Sequence, residues 1–224
     1  MHLLTAPRRP SFVLTASGLT KLYGGTLALV GVDFAVRSGE LLLVRGANGS
    51  GKSTLLRILA GLALPSAGRI TVTGEAEATP VSAFVGHAGH LYADLTAHEN
   101  LTLAARLAGA DTTLILPLLD RLGVAASAHG RCRGLSSGTL RRVALARALA
   151  TNPDVVIADE PFAGVDDDAA DRVATVLAEL RDERRLVVIA SHEAARSRAI
   201  ADQAIELSGG RPIGATKSWM EVAR

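Results

Sequence analysis

Cysteine is nearly absent: Cys132 is the only one in 224 residues. A lone thiol closes no disulfide within the chain and builds no multi-cysteine metal cluster, and it suits a reducing cytosol. Aromatic residues make up 3% of the chain, and Gln203 is its only glutamine. No stretch approaches the roughly 18–20 apolar residues needed to cross a bilayer, so no membrane span is expected. Neither sign of charge dominates. The chain carries 24 Lys and Arg against 22 Asp and Glu, a formal excess of +2, too small to point to a nucleic-acid partner. Residues 1–10 place Arg8 and Arg9 after a short apolar piece. That is the reverse of a secretory signal, and these residues read as a tail. Fixed-period repeats, heptad runs and low-complexity linkers are missing as well.

What is present is apolar content. Hydrophobic residues make up 48% and charged residues 21%, which argues for a folded chain long enough to bury a core. Short runs rich in Val, Leu and Ile alternate with longer helical patterns, the mark of a largely parallel α/β sheet. Candidate strands fall at 12–16, 27–36, 40–44, 69–73, 83–86, 154–158 and 186–190. From about 96 to 135 the strand signal gives way to helical patterns at 99–107 and 114–122, the second interrupted by Pro117. The division expected is a single domain over 1–224: a tail at 1–11, an α/β core from 12–95 and 136–224, and an inserted helical subdomain at 96–135.

The strongest local signal is Gly46-Ala47-Asn48-Gly49-Ser50-Gly51-Lys52-Ser53-Thr54, directly after an apolar strand and before a helical run. Glycines let successive backbone N–H groups approach an anion, and the helix N-terminus adds partial positive charge. At this spacing Lys52 reaches the β- and γ-phosphates of a nucleotide, and Ser53 offers its hydroxyl to Mg²⁺. A second strand, 154–158, ends in Asp159-Glu160-Pro161. Asp159 is then placed to hold Mg²⁺, and Glu160 to polarise an attacking water. Kinases, GTPases and ATPases all remain open on these two motifs alone.

Leu135-Ser136-Ser137-Gly138-Thr139 narrows the choice. It precedes a basic helical run and lies upstream of Asp159, and with it the chain resembles the nucleotide-binding subunits of ATP-binding cassette (ABC) transporters. The resemblance covers nearly the whole chain. It implies a P-loop NTPase (RecA-like) core with an antiparallel β edge and an inserted α-helical subdomain, ATP and Mg²⁺ as cofactors, and ATP hydrolysis as the activity. It also implies site residues: Tyr23 stacking on adenine, Ser137 and Gly138 clamping the γ-phosphate held by a second copy, Asp166 meeting that copy, and His192 contacting the γ-phosphate. Glu160, His192 and Lys52 are the catalytic candidates. A second Leu-Ser-Gly-Gly string, at 207–210, sits after His192 with no helix following it, and reads as a turn between late strands.

Two strings, 85–101 and Asp159-Glu160-Pro161-Phe162, are similar to the CcmA-type haem exporter ATPases of cytochrome c maturation. That likeness implies haem export as the cargo, while the wider family resemblance implies a head-to-tail homodimer on the cytoplasmic face of the membrane, driving a separate integral membrane subunit docked on the helical subdomain and the 86–99 loop. Other readings stay open: an ABC exporter with different cargo, a weakly hydrolysing regulatory cassette, or a soluble cassette outside transport. One departure stands out. The glutamine that the family carries ahead of the helical insertion falls here at Ala88, with His87 and His90 nearby. Arg141, Arg142 and Arg147 read as a solvated helix face, and Cys132 as a bystander thiol.

Overall fold

Alternating apolar residues build the first sheet. β1 (Phe12–Tyr23) and β2 (Thr26–Arg37) pair antiparallel across Gly24 and Gly25, whose φ angles of 48° and 92° form a tight two-residue hairpin. β4 (Ala67–Gly74) pairs with the other edge of β1. β1 runs past the expected end at residue 16 because a bulge at Gly18 breaks the alternation without ending the ladder. Gly18 has a φ of 60°, and its N–H donates to Asp33 Oδ1 at 2.7 Å. The structure is a computed structural model that describes Arg9 and residues 11–75, 79–86, 90–192 and 194–214.

The second sheet has the order β5-β6-β7-β3-β8-β9, formed by β3 (Leu41–Arg45), β5 (Ser82–Val85), β6 (Val155–Asp159), β7 (Leu186–Ala190), β8 (Gln203–Ser208) and β9 (Arg211–Ile213). All its pairings are parallel except β8 with β9. β8 and β9, which no apolar run marks in the sequence, are the late strands expected on either side of the 207–210 turn; they are joined by Gly209 and Gly210, both at positive φ. β3 shows why its sequence is an unbroken apolar run. Leu41 and Leu43 enter one core layer, Leu42 and Val44 the other, and all four are buried.

One layer lies between this sheet and the antiparallel sheet and also takes α1 (Lys52–Leu59). The other is covered by α2 (Ala97–Leu107), α3 (Ile115–Arg121), α4 (Ser137–Ala150) and α5 (Asp167–Asp182); α6 (Ala194–Ile200) follows β7. Pro117 does not interrupt a helix. It occupies the first turn of α3, where a backbone N–H has no helical partner to lose.

Three other expectations change. Arg141, Arg142 and Arg147 are half-buried and spend their guanidinium groups on backbone carbonyls: Ala163 and Glu160, Gly138, Leu122 and Gly123, and His90 respectively. α4 is covered on more than one side, which brings backbone carbonyls of neighbouring segments within reach of these arginines. Arg9, assigned to the tail, donates to Asp154 Oδ1 at 2.5 Å and also bonds Asn152; residues 1–8 lie outside the described residues. The string at 95–101, part of the basis for the haem-exporter likeness, does local structural work. Thr96 and Glu99 form a reciprocal capping box at the start of α2. Asn100 is fully buried, accepts from Tyr92 N–H at 2.9 Å, and donates to the carbonyls of Tyr92 and Thr96. A helix start needs these residues whatever the cargo.

Candidate functional site

The site is built on the carboxyl ends of β3 and β6, where open parallel sheets place their ligands. Between β3 and α1 the chain turns through Gly46 and Gly51, whose φ angles are 143° and 105°. A Cβ at Gly46 would lie 2.2 Å from the Leu207 carbonyl, and one at Gly51 2.6 Å from the Ala28 carbonyl, so both positions exclude side chains. Gly51 starts α1 without a side-chain cap, and no acidic residue occupies the first turn. The amides at that end therefore face the cleft without an intrahelical partner.

Lys52 is buried, and its ammonium donates to the carbonyls of Gly46 at 2.8 Å and Ala47 at 3.2 Å. Ser50 Oγ is buried with no hydrogen-bond partner. A buried ammonium coiled onto its own loop and an unpaired hydroxyl both suit an anion that the loop encircles. The cleft beside them holds about 300 Å³ and is lined by residues 48–54 on one wall, Asp159 and Glu160 on the other, and Ala28. Asn48, Gly49, Ser50, Gly51, Lys52, Ser53 and Thr54 thus share one cavity with both carboxylates.

Glu160 carries the most unusual backbone of the group. It lies one residue past the end of β6 at a φ of 54°, with its N–H donating to Ala190 O at 2.8 Å. A left-handed residue with a Cβ costs on the order of 1–2 kcal/mol, and such strain gathers at functional turns. Its Oε2 accepts from the His192 backbone N–H at 3.3 Å and lies 2.8 Å from the His192 Nδ1. That contact orients the ring. Ser53 and Asp159 both face the cleft, and among the described residues no group of three His, Cys, Asp or Glu could hold a metal by itself. The hydroxyl of Ser53 and the carboxylate of Asp159 are oxygen donors of the kind that would hold Mg²⁺ beside a nucleotide.

The other candidates lie elsewhere. Ser137, exposed, and Gly138, buried, open α4 and do not line the cleft. The capping residue there is Ser136, whose Oγ accepts from Thr139 N–H at 3.2 Å. The helix preference for a serine cap was visible in the sequence but was not used. Asp166 caps α5, its Oδ1 accepting from Ala169 N–H at 2.8 Å. Tyr23, half-exposed at the end of β1, carries the Lys21 ammonium 4.8 Å above its ring centroid and does not line the cleft either. Ala88 and His87 lie outside the described residues. Cys132 is buried, and desolvation raises its thiol pKa, so it is no reactive nucleophile.

Sequence reasoning set aside the turn at 207–210, yet it supports the phosphate loop. Gly210 N–H donates to Ser50 O at 3.1 Å, and Gly210 O accepts from Val30 N–H at 2.8 Å. The only sequence signal for this was the pair of glycines itself.

A family model described as "ABC transporter" matches residues 29–163, which include the phosphate loop, the opening of α4 and Glu160. The chain belongs to the ABC transporter family. Among curated relatives, the cytochrome c biogenesis ATP-binding export protein CcmA of Cupriavidus pinatubonensis is 40% identical over 188 residues, covering 80% of this chain and 83% of the relative. The phosphonates import ATP-binding protein PhnC of Frankia casuarinae is 36% identical over 219 residues, covering 88% and 87%. Among solved structures, the ATP-binding cassette MJ0796, a dimer in a post-hydrolysis state bound to ADP and Pi, matches with a TM-score of 0.81 and 27% identity over 90% of this chain and 97% of that one. This ABC cassette is an ATPase that uses ATP and Mg²⁺. No helix among its described residues is long and apolar enough to cross a membrane.

Proposed function

We propose that two copies of this cassette pair head to tail around two MgATP and drive a separate membrane protein at the cytoplasmic face of the membrane. In this reading Lys52 and the loop amides hold the β- and γ-phosphates. Ser53 and Asp159 keep Mg²⁺ beside them, and the ion supplies charge neutralisation on the phosphate oxygens. Glu160 accepts a proton from the attacking water while His192 fixes its carboxylate. Ser137 and Gly138 of the second copy close over the γ-phosphate, Asp166 meets that copy, and Tyr23 stacks on adenine. The observation that carries this is the pairing of Glu160 with the phosphate loop across one cleft, with Ser137 and Gly138 outside it. A related cassette that is dimeric with ADP and Pi supports the pairing.

Glu160→Gln removes the proton acceptor and keeps the shape. Turnover is expected to fall at least about 100-fold, with ATP retained and a dimer accumulating in gel filtration with MgATP. A variant that hydrolyses at the native rate would end the assignment.

For the cargo we propose haem export in cytochrome c biogenesis, supported by the likeness to CcmA. The helical subdomain at 96–135 and the 86–99 loop would receive the membrane subunit. Tyr92 and Leu107 are exposed there and supply apolar surface. Expression in cells lacking their own CcmA tests this: haem-stained c-type cytochrome should return with the native chain and not with Glu160→Gln. The likeness to an import protein makes a different cargo the outcome if nothing returns.

A further inference from the structure

We infer that Arg141 is a positioning residue for Glu160: from α4 it holds the turn that carries the carboxylate and ties that turn to the Ser137–Gly138 end of its own helix. The inference rests on the reading of Glu160 as the proton acceptor.

The turn after β6 has to keep a glutamate in the left-handed region, and local bonds account for part of that. Glu160 N–H donates to Ala190 O at 2.8 Å, and Ala163 N–H returns to Glu160 O at 3.2 Å, closing the turn on itself. The remaining support comes from outside. Arg141 Nη1 donates to Ala163 O and lies 3.4 Å from Glu160 O, so one guanidinium nitrogen spans the carbonyls at both ends of the turn. A cationic donor polarises both acceptors and holds them more strongly than a neutral amide would. Arg141 on Glu160 O and Ala190 O on Glu160 N–H hold the two peptide planes that flank Glu160, and the bond to Ala163 O anchors the far end of the turn, so the residue loses the freedom to relax into the right-handed region.

The same face of α4 presses on the next residues of the loop. Gly138 lies three positions before Arg141, so the two share a side of the helix. A Cβ at Gly138 would stand 2.6 Å from Gly164 O and 3.4 Å from a Val165 methyl. The first turns of α4 therefore form the floor beneath 160–165, and the exposed Ser137 sits at the tip of that floor. A displacement of the tip, such as a phosphate arriving on Ser137 from a second copy, is carried through Gly138 and Arg141 to Glu160. Arg142, the next residue, reaches the carbonyls of Gly138, Leu122 and Gly123 and makes no bond to the 160–163 turn. The two arginines differ in their targets.

The test uses the purified full chain with Arg141→Ala, Arg141→Lys, Arg142→Ala and Glu160→Gln. It measures kcat and KM for MgATP, affinity for a fluorescent ATP analogue, and Tm. Arg141→Ala should lose about tenfold or more in kcat while analogue affinity stays within about twofold, and Arg141→Lys should recover part of the rate. Arg142→Ala should lower Tm with a smaller effect on kcat. Arg141→Ala turning over within about twofold of the native chain, with Glu160→Gln inactive, would overturn the positioning role and leave the glutamate reading intact. A parallel loss of affinity, rate and Tm in Arg141→Ala would overturn it too, by making Arg141 a folding residue. Native turnover in Glu160→Gln would remove the glutamate reading and this inference with it.

Discussion

Individual side chains in this cassette are held in states that make sense only for a loop that takes up an anion. The Lys52 ammonium is buried against two carbonyls, while Glu160 is kept at positive φ beside the cleft. Each arrangement stores a cost that ligand contacts can offset. Cys132 shows the opposite case, a group put out of reach. It is buried in the core shared with Leu101 and Leu135, with the Asn100 amide nitrogen 3.3 Å from its Sγ, and desolvation raises its pKa from the ordinary thiol value. The sign follows from the thiolate being the disfavoured form. The stability this burial contributes is fully present below the unfolded thiol pKa and is lost as pH rises through the elevated folded value. Thiol labelling by an aromatic disulfide at pH 8 should therefore be at least about tenfold slower in the native chain than in denaturant. Fast native labelling would contradict the burial of Cys132.

At the scale of elements, the β8–β9 hairpin is the part whose importance is easiest to underrate. It pairs β8 with β3 and sets the Gly209–Gly210 turn under the phosphate loop, where Gly210 N–H meets Ser50 O. Gly210→Ala places a Cβ 2.8 Å from Ala28 O at a φ of 78°, whereas Gly209→Ala meets open space at a φ of 53°. Both substitutions add backbone strain of about 1 kcal/mol, and only the first also collides with β2 and so displaces the Gly210 N–H that meets Ser50 O. Analogue titration should show Gly210→Ala binding ATP several-fold more weakly, with Gly209→Ala near the native value; equal affinities would mean that the hairpin does not shape the loop. The sequence made some elements plain and hid others for physical reasons. β3, β6 and β7 are buried on both faces, so their apolar runs stand out, and the phosphate-loop spacing is fixed by its geometry. β9 has three residues and depends on pairing that no local pattern reveals. The arginines of α4 misled because helical spacing says which residues share a face but not what covers it; the carbonyls of Glu160 and Ala163 lie some 20 residues away in the chain. Tyr23 and Asp166 were found by likeness, and the described structure gives each a local partner, Lys21 and Ala169, rather than a place in the cleft.

The whole molecule keeps the two surfaces that the proposed function assigns to phosphate in different places: the Lys52 loop lines the cleft, and the Ser137 tip of α4 does not. A single chain that cannot close one over the other leaves each ATP half-enclosed, so the proposed head-to-tail pairing has a consequence that a monomeric enzyme lacks. Take one variant with a dead loop, Lys52→Ala, and another with a repelling tip, Ser137→Glu. Ser137 is exposed at the start of a helix, a position where a carboxylate is tolerated and even favoured by the helix dipole, so the second change should repel phosphate without harming the fold. Each variant alone has no intact site. In a mixed dimer, the site formed by the native loop of one copy and the native tip of the other is whole, and its partner site carries both defects. Equal mixing gives heterodimers as about half of all dimers with one good site in two, so turnover should recover to about a quarter of the native rate. The coupling through Arg141 would pull that figure lower without reducing it to zero, because the intact site keeps a native Arg141–Glu160 pair. Activity that stays at the level of the separate variants over a range of mixing ratios would show that the tip serves its own chain, and would end the head-to-tail reading.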